Sequence, residues 1–442
     1  MSHAEPFRHI QITQLHPTFG AEISGIDFSK PVAAGVFSEV LAAITKYGVL
    51  VFRNAHLDDH RHVAFAHQFG ELDDIKPHIA AGRKNRFPSD KLFDVSNLND
   101  DGSVLQPGTP RYETGLGNGL FHVDSSFNPR RAGYSLLRAH QLNPKGTGGG
   151  TEFADTRTAW DILPDAKKRE LMEKDYIIGH SLWYSRKKAA PESEYLKTIN
   201  PKEHFISRHR LLQTHASSGR KNLYIAAHAM QVEDPDYASS SPGPPGKLLP
   251  EDKASKIIDE IWNFCQQPEL TLKVDWENDG DLLIWDNTCV MHRSGPGTYH
   301  GKFVRDMRRA TVHDGSEWAW GLNERTDARL LLILRAAPPD PPPDPPLPRP
   351  HLAIPPDSPI VQLPKPSAIL ATTIPSLHTT SSSPVRRTTT TPALSSRTHP
   401  DEPDFPVHSS EKVTFTRPST GAVPTANPGA VSIAKAEPRL LS

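Results

Sequence analysis

A mainly β domain with a few flanking helices, followed by a long unstructured tail, is the architecture this sequence predicts. Three observations carry that expectation: apolar runs of strand length, amphipathic patterns of helix length between them, and an abrupt change in composition after about Arg335. Several non-adjacent strands with two or three helices fit a β-sandwich or barrel covered on one side.

The elements follow in chain order. A helical pattern runs from about Phe37 to Lys46 and gives way to the buried strand Tyr47-Gly48-Val49-Leu50-Val51-Phe52. Asp58-Asp59 open a second helix, with Asp58 suited to the N-cap because its carboxylate can take a free backbone N–H. Val63, Phe65, Ala66 and Phe69 form its apolar side and Gly70 stops it. Gly146 to Gly150 is a loop, since glycine supplies backbone angles other residues avoid. Asn222 to Ala226 is a strand. Pro250-Glu251-Asp252 begin a helix whose Ile257, Ile258, Ile261, Trp262 and Phe264 face inward. Leu282-Leu283-Ile284-Trp285 and Phe303 to Val312 are strands again.

From Pro338 onward lie 24 of the chain's 43 prolines, with no Trp, Tyr, Cys or Met. Such a composition cannot bury enough apolar surface to offset chain entropy. Residues 1–335 are therefore expected to form one domain and 336–442 a disordered Pro/Ser/Thr-rich tail. PxxP matches there (Pro342 and Pro345) fit an unstructured extension better than a dedicated partner motif.

With 50 basic and 51 acidic residues the net charge is −1, which argues against a nucleic-acid partner. No apolar run approaches the roughly 20 residues that span a bilayer. The segment from Met1 to Gln14 has no apolar core of a secretory signal. Only Cys265 and Cys289 occur, without zinc-finger or CxxC spacing, so a cytoplasmic location and nitrogen and oxygen metal ligands are expected. Homo-oligomerisation and a partner for the tail are left open.

The chemistry concentrates in His122-Val123-Asp124 and His292, with Arg305 and Arg309 downstream. Two histidines and one carboxylate hold one face of an Fe(II) ion and leave other positions open. An H-x-D triplet alone is weak, and the chain has three. His56-Leu57-Asp58 sits at a helix start and His399-Pro400-Asp401 in the tail. Only His122-Val123-Asp124 follows a Gly-rich approach (Gly115 to Gly119), and on an extended segment its two donors face one side. His292 lies just beyond the hydrophobic strand that ends at Trp285-Asp286-Asn287.

Arg305 and Arg309, on one strand, point the same way, beside Phe303, Met307 and Thr311. Arg308 points opposite, onto a solvated face. A charged pair on an apolar face needs partners, and an incoming dicarboxylate supplies them.

Six motifs in order resemble the Fe(II)/α-ketoglutarate-dependent dioxygenases of the taurine and 2,4-dichlorophenoxyacetate dioxygenase family. They are Phe93-Asp94-Val95-Ser96-Asn97, Leu120 to Phe127, Gly149-Gly150-Thr151-Glu152-Phe153, Ser218-Gly219-Arg220-Lys221, Trp285-Asp286-Asn287 through His292, and Arg308-Arg309-Ala310-Thr311. The resemblance covers roughly residues 10–325. It implies a double-stranded β-helix (jelly roll) core, with iron held by His122, Asp124 and His292. It also implies α-ketoglutarate bound by Thr151 and Arg305, and Arg309 near the keto-acid end, where it can also face substrate. Lys76 and Asn118 match substrate-pocket positions.

The implied reaction consumes O2 and α-ketoglutarate, releases succinate and CO2, and hydroxylates a small or medium organic acid of aryloxyalkanoate, sulfonate or secondary-metabolite type. Related halogenases lack the carboxylate that Asp124 provides, so hydroxylation is expected. The interval from His292 to Arg305 is two residues longer than usual, and Gln231 stands where aryloxyacetate-cleaving relatives can carry histidine. His215 and His228 are retained. Two rivals remain at this stage: a cupin-like metal enzyme of another reaction type, which gives the arginines no role, and a scaffold acting through its Pro-rich tail.

Overall fold

The computed structural model describes residues 7–80 and 84–325, and the expected tail at 336–442 lies outside them. Strands dominate, arranged in one large sheet and smaller ones, with helices packed outside.

The large sheet has seven strands in the order Gln11–Gln14, Ala21–Ser24, Val49–Phe52, Leu282–Asp286, Ala132–Gln141, Asp306–His313 and Leu92–Asp94. All neighbours in it run antiparallel except Ala21–Ser24 beside Val49–Phe52. Side chains alternate across each strand, and the central strands bury both faces. Leu50, Phe52, Leu282 and Ile284 pack with Val40, Ile44, Phe65 and Ala66 of the helices Ala34–Tyr47 and Asp59–His67. Val49, Val51, Leu283 and Trp285 turn the other way and meet Phe153 and Val290. Those two residues belong to a three-stranded sheet, ordered Thr271–Val274, Thr151–Asp155 and Val290–Ser294. A third core gathers the helices Thr156–Ile162 and Glu251–Phe264 against Tyr224, Ile225 and Met291.

Several boundaries differ from the sequence reading. Tyr47 ends the helix, because Gly48 takes φ +70° and returns its N–H to the Ile44 carbonyl at 2.7 Å, closing the C-terminus. A Cβ on Gly48 would sit 2.8 Å from both Arg157 Nη2 and Val290 Cγ2, so glycine is required twice over. Asp58 caps the second helix as expected, accepting from the Arg61 N–H at 2.7 Å.

The predicted Phe303–Val312 strand starts later, at Asp306, and Phe303 is 41% exposed. Arg305 therefore precedes the strand. Its N–H goes to Asn97 Oδ1 (2.7 Å) and its carbonyl accepts from the Asn97 N–H (3.1 Å). The Asn222–Ala226 strand is instead Lys221–Leu223, because the Ile225 N–H folds back to the Leu223 carbonyl at 3.1 Å.

Arg308 does point opposite to Arg309, but it is not solvated. Its Nη1 donates to both oxygens of Asp59 (2.8 and 2.6 Å) and its guanidinium lies over Phe87. Asp59 also pairs with Arg138, so the helix cap region and two strands share one buried charge cluster.

Candidate active site

His122 and His292 are joined through their main chains: the His122 N–H donates to the His292 carbonyl at 2.9 Å and the His292 N–H returns to His122 at 2.8 Å. This bridge sets the two rings side by side, 4.3 Å between centroids. His122 leaves a short helical turn, Leu116–Gly119, and His292 sits inside the strand Val290–Ser294. Two positions on, Asp124 shares the His122 side of the segment. The residues after it, Ser125 to Phe127, form a turn with Ser125 at φ 56°.

One donor atom from each of His122, Asp124 and His292 lies within 4.8 Å of the others, and all three residues are buried. The protonation pattern suits a metal. His122 Nδ1 faces the Leu120 carbonyl at 2.7 Å, and a carbonyl only accepts, so the proton sits on Nδ1 and Nε2 keeps its lone pair. His292 Nε2 lies 3.7 Å from Asp124 Oδ2, while its Nδ1 is buried without a hydrogen-bond partner. Burial lowers both histidine pKa values, leaving neutral rings able to donate. Burial alone would raise Asp124, yet the Arg309 guanidinium, helped by the Ser135 hydroxyl, overcomes it and holds the carboxyl at about 2. Two neutral imidazoles and a carboxylate, with donor atoms within 4.8 Å of one another, fit a divalent iron ion.

Asp124 is positioned from outside. Ser135 Oγ donates to its Oδ2 at 2.8 Å, and its backbone N–H donates to Asn287 Oδ1 at 3.0 Å. Asn287 takes the Trp285 indole N–H on that same oxygen and gives its amide to Ser135 Oγ and the Gly133 carbonyl. The sequence motif contained Asn287 but gave no sign of this role, and Ser135 carried no signal at all.

The arginines approach from the other side. Arg309 Nη1 reaches Asp124 Oδ1 at 2.5 Å, with its guanidinium over Phe93. Arg305 is 6% exposed, gives Nη2 to the Gly149 carbonyl at 3.0 Å, and keeps a buried Nε without a partner. Gly149 stands two residues before Thr151, whose Oγ1 accepts from the Trp276 indole at 3.2 Å. Burial lowers the Arg305 pKa, the mark of a cation short of counter-charge.

Asn118 lies on the turn before His122 and accepts from Arg186 Nη1 at 2.9 Å. Lys76 is not brought to this cluster. Its ammonium is exposed, 3.5 Å from Asp90 and 3.9 Å from Asp74. His228 stands 5.7 Å from the His122 ring, its Nδ1 bonded to Ser185 Oγ. Gln231 pairs with Gly179 in another sheet. The Pro242–Gly246 loop is pinned by Arg208, which donates to the Ser241 and Gly243 carbonyls, and Trp183 packs with Leu196 and Ile199.

A second donor group, His215, Asp286 and Cys289, also gathers. There both ring nitrogens of His215 are engaged, Nδ1 with Ser218 Oγ at 2.6 Å and Nε2 with Asp286 Oδ2 at 2.9 Å. Despite burial, Asp286 helps hold this imidazole protonated, with its pKa raised to about 10, so it has no lone pair for a metal and the group acts as a structural network.

The β scaffold with three converging N,N,O donors and the Arg309 guanidinium bonded to one of them defines a candidate mononuclear metal site, and Arg305, held by the Gly149 carbonyl, supplies a candidate anion receptor. The chain belongs to the taurine catabolism dioxygenase TauD, TfdA family, whose sequence pattern matches residues 11–311. It is 33% identical over 302 residues to the alpha-ketoglutarate-dependent 2,4-dichlorophenoxyacetate dioxygenase of Burkholderia sp. (strain RASC), covering 67% of this chain and 92% of that one. It is 28% identical over 315 residues to the (S)-phenoxypropionate/alpha-ketoglutarate-dioxygenase of Sphingobium herbicidovorans, covering 70% and 97%. Among solved structures, AAD-2 in complex with Mn(II) and N-oxalylglycine superposes with TM-score 0.61 and 36% identity, over 70% of this chain and 99% of that one.

Proposed function

We propose that this protein is an Fe(II)- and α-ketoglutarate-dependent dioxygenase that hydroxylates a small organic acid of the aryloxyalkanoate or sulfonate type. The observation that carries the reading is the convergence of His122, Asp124 and His292 beside Arg309 and the partner-poor Arg305. A cupin-like enzyme of another chemistry leaves those arginines without a task, and a tail-borne scaffold leaves the whole site without one.

His122, Asp124 and His292 would hold the iron, and Thr151 with Arg305 would receive the distal carboxylate of α-ketoglutarate. With O2, the bound iron and keto acid supply an oxidant that exchanges a substrate C–H for C–OH, while α-ketoglutarate leaves as succinate and CO2. The protein's own part is placement. Asn287 and Ser135 fix the Asp124 carboxylate, and Leu120 fixes the His122 tautomer. Arg309 neutralises Asp124 and offers its remaining N–H groups to an acid end of the keto acid or the substrate. Phe153 and Trp285, both buried against the His292 ring, keep bulk water from that side of the centre. Hydroxylation next to an ether oxygen would give a hemiacetal that collapses to an alcohol or phenol and a carbonyl compound.

The packing of the large sheet on the Thr151–Asp155 sheet through one shared core supports a double-stranded β-helix (jelly roll). We assign residues 1–335 to the dioxygenase domain and treat 336–442 as dispensable for turnover. Two unpaired, buried cysteines support a cytoplasmic location, and no described helix is long and apolar enough to cross a membrane.

The test is succinate release across a panel of aryloxyacetates, sulfonates and other carboxylates, with Fe(II), α-ketoglutarate and air. Substrate-dependent succinate that disappears without iron supports the reading; none with any acid, from iron-loaded protein, overturns it.

A further inference from the structure

Arg186 is a cation the assigned site does not use. It projects from the helix Leu182–Ala189 onto the turn Leu116–Gly119, a few residues ahead of His122. Its Nη1 donates to Asn118 Oδ1 at 2.9 Å, and its Nε is buried without a partner. Among the described residues no carboxylate lies within 4.0 Å of it. Arg186 is half-buried, and the fully buried arginines mostly have one: Arg131 has Asp314, Arg157 has Asp155 and Arg208 has Glu233. A guanidinium withdrawn from water with only a neutral amide for company is costly unless an anion completes it.

The approach of this side chain is built in. A Cβ on residue 117 would stand 2.3 Å from Arg186 Nη1 and 2.6 Å from its Cδ, so only glycine lets the guanidinium lie there. Burial lowers its pKa to about 10, with Asp124 pulling the other way and Arg309 adding to the fall. Arg186 thus lies within the field of Asp124 and Arg309, on a different element from either, while its own hydrogen bond goes to Asn118.

Charge balance narrows the ligand. The charges of Fe(II) and of α-ketoglutarate cancel, and Asp124 offsets one of Arg186, Arg305 and Arg309. The loaded site therefore carries a net charge of about +2, spread over the metal and the guanidinium groups, and a single carboxylate offsets only half of it.

Building on the dioxygenase reading above, we propose that Arg186 and Asn118 form a second acid-binding subsite, so that the preferred substrate carries two acidic groups, one on Arg309 and one on Arg186. The groups recognised are carboxylates or sulfonates, which accept the planar fork of N–H donors that arginine presents.

The experiment is anaerobic calorimetric binding to the full chain loaded with Fe(II) and α-ketoglutarate, so that no turnover occurs. The probes are matched pairs: phenoxyacetate against its ortho, meta and para carboxy derivatives, and phenylacetate and alkanoates against the corresponding diacids. At least one diacid is expected to bind about tenfold or more tightly than its monoacid. Arg186→Gln should abolish that preference while leaving monoacid affinity within about threefold. Gly117→Ala, which displaces the guanidinium without removing its charge from the chain, should do the same. It keeps the test available if Arg186→Gln does not fold.

A wild-type protein that prefers no diacid overturns the proposal, as does an Arg186→Gln protein that loses both kinds of ligand equally. The visible absorbance of the anaerobic Fe(II)–α-ketoglutarate complex separates the two claims. If it forms and no diacid is preferred, only the second subsite falls. If it does not form, the dioxygenase reading itself falls.

Discussion

The side-chain oxygen of Asn287 accepts the backbone N–H of Asp124 at 3.0 Å, across 163 residues of sequence. The proposed metal ligand Asp124 is thereby held by its own main chain as well as by Ser135 on its carboxylate. Asn287→Ala should lower iron affinity by about 10- to 100-fold, the usual cost of removing a group that orients a ligand. It should also cost about 1–3 kcal/mol of stability by stranding the Trp285 indole N–H. Anaerobic iron titration and denaturant unfolding measure the two effects; unchanged iron affinity would remove the positioning role.

His122→Ala deletes one donor and the ring that lies tilted against His292 at 4.3 Å. Succinate release should fall to background in the presence of iron, α-ketoglutarate and a working substrate. Retained release would count against the metal assignment.

Arg305 has no carboxylate partner among the described residues, only the Gly149 carbonyl. If it receives the distal acid of α-ketoglutarate, Arg305→Gln removes charge-assisted hydrogen bonds worth about 1.5–3 kcal/mol. The KM for α-ketoglutarate should rise about 10- to 100-fold, with little change in saturated turnover. An unaltered KM would free Arg305 from that role.

His62 and His180 are fully buried and neutral, both held at about 3 by burial together with neighbouring Arg138 and Arg131 respectively. Their folded values lie below the ordinary 6.5, so the unfolded chain binds the extra protons. Stability is complete above about pH 6.5 and declines as pH falls toward 3, by about 1 kcal/mol per histidine per pH unit. Urea midpoints of the metal-free protein near pH 7.5 and about pH 5.5 should show the loss. His62→Gln, able to keep the bond to the Leu136 carbonyl, should make the decline shallower. An equal slope in that variant would acquit His62.

A chain ending at Arg335 should retain the succinate-forming activity of the full chain. Loss of turnover on that truncation would mean the tail contributes to the site.

What could be read from sequence was local or carried by ordered motifs. The Asp58 cap, the strand through Leu282 to Trp285 and the inward side of the Glu251–Phe264 helix follow from residue type and period. His122, Asp124 and His292 came from motif order, although nothing local says that segments 163 or more residues apart will bond. Long-range pairing is where the reading stopped. Arg308 was assigned to solvent because its partner Asp59 lies 249 residues away. Arg186 went unnoticed because its helix carries no motif and its meaning depends on where Gly117 lets it rest. Tyr47 was put in the strand because its apolar neighbours outweighed the left-handed turn at Gly48.

The reciprocal main-chain bonds between His122 and His292 tie the donors to the backbone ladder itself. Iron retention should therefore report the integrity of the architecture. On heating, the metal should be released together with cooperative melting instead of leaking from an intact shell, and replacing either imidazole by another donor should leave the underlying frame in register.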